Sequence, residues 1–340
     1  MEPSAEPRRV TLAQVAELAG VSVMTASYTY NRPDRVSDRA RAKVLAAADR
    51  LGYAGPDPSA RSLRRGSTRT LGVVLGEHLS YAFEDPAAAS FLAGIADVCA
   101  DRGYGMTILP ATGPPTTAAV DGFIVWTTSD DDPILQAVRA TKRPAVVHGG
   151  PAVPGMGLVG IDDRAAAHAV GAAAFAGARR PAVVSFPLSR DRTSMITTGA
   201  DITGVAFPVT RARLAGYRQA AEDAGIAWHD VTVAVCARND AAEAERITAT
   251  LLAAAAPPDA IAAMSDQQAA GVVRAAGRTI AVTGWDDSPT AAELGLTTVA
   301  QSLRDQGAAC AHAVLGRRTD TRPAPWTVVH RESTRPGRST

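Results

Sequence analysis

The chain has 340 residues, 46% of them hydrophobic, with 35 Lys+Arg balancing 34 Asp+Glu, which leaves room for a small head and one large or two medium domains with a real core. The polar start MEPSAEPRRVTLAQ gives no expectation of a signal peptide or anchor, and no stretch reaches ~18 uncharged apolar residues for a membrane span. Cys99, Cys236 and Cys310 are odd in number and far apart, so neither a disulfide framework nor a zinc site is expected, and a reducing cytoplasm is the expected compartment.

The first element is an apolar stripe, Leu12, Val15, Ala16 and Ala19, at helical spacing. Thr11-x-x-Gln14 is a capping box, and Val10 with Val15 stands at the staple spacing. Gly20 supplies a left-handed stop, and Ser22 is a good N-cap for a second helix only three residues later. Two helices joined that tightly cross steeply, as in a helix-turn-helix, although any αα-hairpin has the same pattern. Charge favours the former. Residues 1–70 hold 12 basic against 7 acidic side chains, net +5, and the remainder 23 against 27, net −4. A basic head on an acidic body suits a head that meets phosphate.

Arg32-Pro33-Asp34-Arg35 reads as a turn, and Ser37 caps a third helix whose apolar side carries Val44, Ala47, Ala48 and Leu51. Residues 54–70 read as a linker, in which Ser59 to Arg64 make one or two helical turns, too short to be stable alone. From Leu71 the pattern becomes short β-branched runs at 71–75, 104–109, 120–126, 144–148, 158–161, 181–186, 231–235, 259–264 and 279–285. Helical patterns at 86–102, 164–176, 211–224, 241–255 and 266–276 lie between many of them. Such alternation predicts parallel sheets covered on both faces. Nine or so strands are too many for one compact half, so two doubly wound subdomains with a cleft between them are expected, and 303–315 and 326–330 supply the crossovers. No internal repeat is evident.

Ligands in such sheets bind beyond the carboxyl ends of the strands. Those ends are followed by Glu77-His78, Trp126, His148, Asp162-Asp163-Arg164, Phe186, Ser265-Asp266-Gln267 and Trp285-Asp286-Asp287. Aromatic faces with carboxylates suit a small polyhydroxylated or nucleoside-like ligand. Asp162 and Asp286 are equally suited to capping the helices after their strands, and the aromatics to a core. Catalysis has no support: GxSxG, P-loop, GxGxxG and HExxH motifs are missing, and the six histidines lack ligand spacing. No enzyme, cofactor or metal is expected.

Across nearly its whole length the sequence resembles the LacI/GalR family of bacterial transcriptional repressors. The resemblance rests on TLAQVAELAGVS…TAS…N…RVS, the hinge SARSLRRGSTRTLGVV, RARLAGYRQAAEDAG, SDQQAAG, VTGWDDSP and LTTVAQ. It implies a small all-α helix-turn-helix head plus hinge helix, joined to an α/β periplasmic-binding-protein-like core of two doubly wound parallel-sheet subdomains. The implied boundaries are 8–55 for the head, 56–70 for hinge and linker, and 71–335 for the core. Within the core they are about 71–161 plus 302–317, and about 162–299 plus 320–334, with a disordered tail at 336–340.

By the same resemblance, the helix from Ser22 enters the major groove. Val23, Met24 and Tyr28 stand where the family reads bases, and Thr11, Ser22, Thr25, Ser27 and Asn31 where it touches phosphate. Tyr28 replaces the usual arginine, which disfavours a guanine-centred half-site, while apolar Val23 and Met24 suit thymine methyls. Leu63 matches the minor-groove wedge, with Ala60 beside it and Arg61 and Arg64 near phosphates. In the core Arg213 resembles the effector clasp and Asp286 its carboxylate partner, with Ser265 where the family often has Asn. Asp163, Trp126, Phe186, Trp285 and His78 complete the expected effector site. ATGPPTTAA, 111–119, stands where the family has a full helix. With no heptad tail, a homodimer is expected.

The expected function is therefore a DNA-binding regulator, a repressor whose dimer holds a pseudo-palindromic operator and is switched by a sugar or nucleoside-like effector. An exported or cytoplasmic solute-binding protein shares the core but has no use for residues 8–69.

Overall fold

The head begins where Thr11 stops the backbone from being helical. Thr11 donates its N–H to Gln14 Oε1 at 2.8 Å and accepts the Gln14 N–H on its own Oγ1, so both unpaired ends of the first turn are satisfied. Helix α1 (Leu12–Ala19) then ends on Gly20 at φ 63°, a left-handed residue that costs glycine nothing. Ser22 Oγ accepts from the Thr25 N–H and opens α2 (Val23–Asn31), and Ser37 opens α3 (Asp38–Leu51) in the same way. Val15, Ala16, Ala19, Ala26, Val44, Ala47 and Ala48 form the buried centre, with Tyr30 and Tyr53 packed edge to face at its border.

This computed structural model describes residues 10–55, 66–77, 79–111, 118–126, 128–319 and 323–334. Contacts divide the chain into two units, 1–68 and 69–340. The hinge positions Ala60, Arg61, Leu63 and Arg64, together with His78, residues 112–117 of the short segment and the tail 336–340, lie outside the described residues.

The core starts with β1 (Thr70–Leu75), short α4 (Tyr81–Glu84), α5 (Pro86–Arg102), β2 (Gly105–Pro110), β3 (Gly122–Trp126), α6 (Pro133–Ala140), β4 (Ala145–His148) and β5 (Gly157–Val159). These strands make a parallel sheet in the order β2-β1-β3-β4-β5. The second half follows with α7 (Asp163–Phe175), β6 (Pro181–Ser185), β7 (Met195–Thr198), α8 (Pro208–Asp223), β8 (Thr232–Val235) and α9 (Ala241–Leu252). It continues with β9 (Ala260–Ala263), α10 (Asp266–Ala276), β10 (Ala281–Asp286), α11 (Pro289–Leu294) and β11 (Thr297–Gln301). Helix α12 (Leu303–Gly316) returns to the first half to pack on α5, and β12 (Trp326–Val329) rejoins the second.

The second sheet runs β12-β11-β10-β9-β6-β8-β7, with antiparallel β7 and β12 at its two edges. Its parallel centre, counted from β6, has the order second-first-third-fourth-fifth, which is also the order of the first sheet. The chain therefore repeats one doubly wound topology, although no repeat is visible in its residues. Each copy has a switch point where neighbouring connections leave in opposite directions, between β1 and β3 and between β6 and β9, and ligand crevices form at such points.

Helices α5 and α12 pack backbone to backbone. A Cβ on Gly94 would overlap the Arg304 carbonyl oxygen, and one on Gly307 the Phe91 carbonyl oxygen. This tight pair fixes α12, and with it the residues just after β11, against the first sheet. The three cysteines are free and buried. No helix among the described residues is long and apolar enough to cross a membrane.

Candidate functional site

The first two residues of α2 are large and apolar, yet Val23 is 52% and Met24 65% exposed. Tyr28, one turn beyond Met24, is half-buried. Hydroxyls and an amide stand at the ends of α1 and α2. Ser22 Oγ lies 2.9 Å from Thr25 Oγ1, Thr11 caps α1, and Asn31 donates to the Ser27 carbonyl at 3.1 Å. The N-termini of α1 and α2 thus bring capping hydroxyls together with the positive ends of two helix dipoles, an arrangement that favours phosphate.

In the core, the carboxyl ends of both sheets line one cavity of about 120 Å³. A water needs ~10–15 Å³ by this measure, so the space suits a ligand of roughly ten heavy atoms. Trp126 and His148 end β3 and β4 on one side, while Phe186 and Asn239 follow β6 and β8 on the other, where Asp286 and Gln301 end β10 and β11.

Arg213 is the centre of the polar wall. It arises from the first turns of α8, is only 6% exposed, and donates from Nε to Asp163 Oδ1 at 2.8 Å and from Nη1 to the Met264 carbonyl at 2.5 Å. Its guanidinium carbon lies 3.7 Å from the centre of the Trp285 ring and 5.5 Å from that of Phe186. Burial pushes the Asp163 carboxyl up, and the Arg213 charge opposes that rise. Asp163 therefore serves as the internal partner of Arg213. Its neighbour Asp162 faces elsewhere and caps α7 through the Ala165 N–H.

Asp286 caps no helix; Ser288 caps α11 instead. Its carboxylate lines the cavity and accepts from Gln301 Nε2 at 2.8 Å. The backbone at Asp286 has φ 106°, a conformation that L-residues rarely adopt and that tends to persist at ligand sites. Burial raises its carboxyl well above the usual range, with Arg213 opposing. The next residue, Asp287, turns away to pair with Arg331 at 2.6 Å.

Of the residues expected at the effector site, Arg213, Asp286, Asp163, Trp126 and Phe186 line the cavity together. Trp285 is fully buried behind Arg213, and Ser265 caps α10 while donating to Asn239 Oδ1. Asn239 in turn donates to Asp85 Oδ2 at 2.8 Å, across to the first half. Sequence reasoning placed Glu77 after the first strand without assigning it to the effector site, and did not single out Asn239, Gln301, Gln306 or Arg192. Glu77 and Arg192 form a bidentate ion pair from the first half to the second, each nitrogen at 2.8 Å from its oxygen, and Arg192 also stacks on Phe207. Arg211 and Asp130 make a second such bridge. For Glu77 the signal was present, since it follows β1 at the switch point; for the neutral amides there was none.

The pattern that defines bacterial regulatory proteins of the lacI family matches residues 11–55, and that of the periplasmic binding protein-like domain matches residues 194–340. Over 322 residues the chain is 38% identical to the HTH-type transcriptional regulator Rv3575c of Mycobacterium tuberculosis, covering 88% of this chain and 89% of that one. The chain belongs to the lacI family. This lacI-family regulator also resembles the crystal structure of a LacI-family transcriptional regulator from Corynebacterium glutamicum. The two are 28% identical with a TM-score of 0.71, over 93% of this chain and 96% of that one. It resembles the regulator CelR in its complex with cellobiose as well, at 26% identity and a TM-score of 0.64, over 96% and 100% of the two chains. The lacI-family regulator thus joins a DNA-binding helix-turn-helix to an effector-binding core.

Proposed function

We propose that this regulator is a repressor whose homodimer holds a pseudo-palindromic operator and is switched by a small polyhydroxylated effector in the core cavity. The observation that carries the reading is the cavity itself. Both switch points open into it, a buried arginine with unused donor capacity and a buried carboxylate face it, and aromatic rings wall it. Arginine supplies a rigid fork to paired oxygens, a carboxylate accepts from hydroxyls, and Trp126 and Phe186 cover the apolar face of a sugar ring. Ser265 and Trp285 act from behind, by holding Asn239 and Arg213. CelR, of the same architecture, binds cellobiose. The cavity here suits a monosaccharide-sized ligand better.

In the head, Val23, Met24 and Tyr28 read base edges, and Thr11, Ser22, Thr25, Ser27 and Asn31 hold phosphates. Exposed apolar Val23 and Met24 support contact with thymine methyls. The hinge residues Ala60, Arg61, Leu63 and Arg64 enter the minor groove. Acting on the chromosome, the protein works in the cytoplasm.

The test has two steps. A thermal-shift screen of the full-length protein against sugars, cyclic polyols and nucleosides identifies the effector, since a ligand that binds only the native state raises Tm. Operator affinity is then measured with and without that ligand by fluorescence anisotropy. A repressor loses operator affinity with effector bound; a gain would make the ligand a co-repressor, and an unchanged value would refute the switch.

A further inference from the structure

A hydrogen-bond relay crosses the cavity from the second half of the core to the first. Gln301 Nε2 donates to Asp286 Oδ1 at 2.8 Å, Gln306 Nε2 donates to Gln301 Oε1 at 2.9 Å, and Gln306 Oε1 lies 2.9 Å from His148 Nε2. Gln301 ends β11 in the second half, Gln306 sits in the first turns of α12, and His148 ends β4 in the first half. The direction of the relay is set at one end. Asp286 Oδ1 accepts, so Gln301 presents its NH2 there and its carbonyl to Gln306. Gln306 then has only its own carbonyl left for His148. Nε2 of His148 is therefore the donor.

His148 is buried, lines the cavity and packs against Phe91 and Trp126 at ring-centre distances of 4.6 and 5.9 Å. Burial pulls its pKa down to about 4, with the Arg213 charge adding to the fall and Gln306 opposing it. The ring is thus neutral near pH 7, and with its proton on Nε2, Nδ1 is left as a lone-pair acceptor. That Nδ1 is buried and has no hydrogen-bond partner among the described residues. Buried polar atoms are nearly always paired, so an orphan on a residue that lines a ligand cavity calls for a partner from outside the described residues.

We propose that His148 is a second reading position of the cleft, held by Gln306 and Gln301 as the Nε2–H tautomer so that its Nδ1 accepts a hydrogen bond from a hydroxyl of the effector. The proposal rests on the effector-sensing role given above. It makes the first half of the core a reader of one hydroxyl and the second half, through Asp286, a reader of another, with the relay joining the two. Ligands with a hydroxyl donor at each side are then selected over deoxy or carboxylate analogues. A carbonyl or carboxylate oxygen facing Nδ1 would set two acceptors against each other.

The test uses the full-length protein labelled with 15N-histidine, with the His148 resonance assigned by its loss in His148→Phe. Without ligand, long-range 1H–15N correlation at neutral pH should show a neutral ring protonated on Nε2, and Gln306→Leu should abolish that single tautomer. A proton on Nδ1, or a charged ring, overturns the relay. D-glucose, D-ribose and cellobiose are then titrated in. In the complex of whichever sugar binds, the Nδ1 resonance should move as its lone pair accepts a hydrogen bond, and His148→Phe should weaken that sugar by roughly 10- to 100-fold. An unmoved Nδ1, or an affinity changed by less than about twofold, overturns the subsite. If none of the three binds, the proposal that a sugar hydroxyl meets Nδ1 is overturned, whereas the tautomer result reports on the relay independently.

Discussion

Arg213 lies over Trp285, its guanidinium carbon 3.7 Å from the ring centre, while Asp163 and the Met264 carbonyl hold two of its nitrogens. Three unlike contacts fix one side chain before any ligand arrives, so binding need not order it. The ring beneath is fully buried, and the cation–π contact there is largely desolvated. Trp285→Leu should therefore lose about 1–2 kcal/mol more stability than Trp285→Phe, which keeps a ring under the cation. Urea unfolding checks this, and equal losses would mean that the ring contributes only volume.

The carboxyl of Asp286 gives a pH dependence whose sign is fixed. Burial raises its native pKa above the ordinary 3.8 of the unfolded chain, so the native state holds the proton more tightly. The stability this contributes is present below 3.8 and lost as pH rises through the native value. At neutral pH burying this carboxyl is a net cost. Asp286→Asn should then be more stable than the wild type near pH 7, with the gain shrinking as pH falls toward 4, while its effector response moves to higher ligand concentration. His148 runs the other way. Its native value of about 4 lies below the ordinary 6.5, so stability falls as pH drops from 6.5 toward 4, by up to ~3 kcal/mol. Thermal unfolding of Asp286→Asn and His148→Phe against wild type across this range separates the two, and parallel pH profiles would contradict both assignments.

Glu77 and Arg192 join the two halves at the cavity with two short ion-pair hydrogen bonds, and both side chains are mostly buried. Arg192→Ala should remove this join between the halves and weaken the effector by ~5- to 10-fold without touching Arg213 or Asp286. Isothermal titration calorimetry measures this directly. An unchanged Kd would mean that the pair is not needed to hold the halves for binding.

Gly94 and Gly307 let α5 and α12 approach until a Cβ on either would overlap the other helix's carbonyl oxygen. Gly94→Ala should cost about 1–3 kcal/mol or more, because backbone cannot move aside as a side chain can. Since α12 also carries Gln306, the same variant should weaken effector binding. A neutral effect on Tm would mean that the helices separate freely.

Much of this was legible in the residues, and the rest was hidden for identifiable reasons. The head was written in caps: Thr11, Gly20, Ser22 and Ser37 do at the helix ends what their side chains are suited to do. Strands announced by β-branched buried runs were visible from Leu71 to Trp285. β7 was not, because Met195–Thr198 is a four-residue edge strand with its side chains largely exposed. β11 was hidden by composition: Thr297 and Thr298 read as polar but are buried, their hydroxyls spent on the Arg331 carbonyl and on Asp266 Oδ1. Short α6 and α11, each opened by a proline, were missed as well. The repeat of one strand order in both sheets escaped because topology, not sequence, is shared. In the cavity, charged and aromatic residues at strand ends stood out, but Gln301 and Gln306 are neutral residues beside a crossover. Only the fold brings them between Asp286 and His148.

The central claim is that occupancy of the cavity, felt through Arg213 and Asp286, controls the grip of the head on DNA. It is tested most directly by operator affinity, measured by anisotropy on a pseudo-palindrome of about 14–20 bp, with and without the ligand that raises Tm most. Arg213→Ala and Asp286→Asn are compared with the wild type. The account predicts that both variants fold and bind operator, and that release requires about 30- to 800-fold more ligand, as expected for the loss of ~2–4 kcal/mol from a buried charged hydrogen bond. Release of both variants at the wild-type ligand concentration would contradict it.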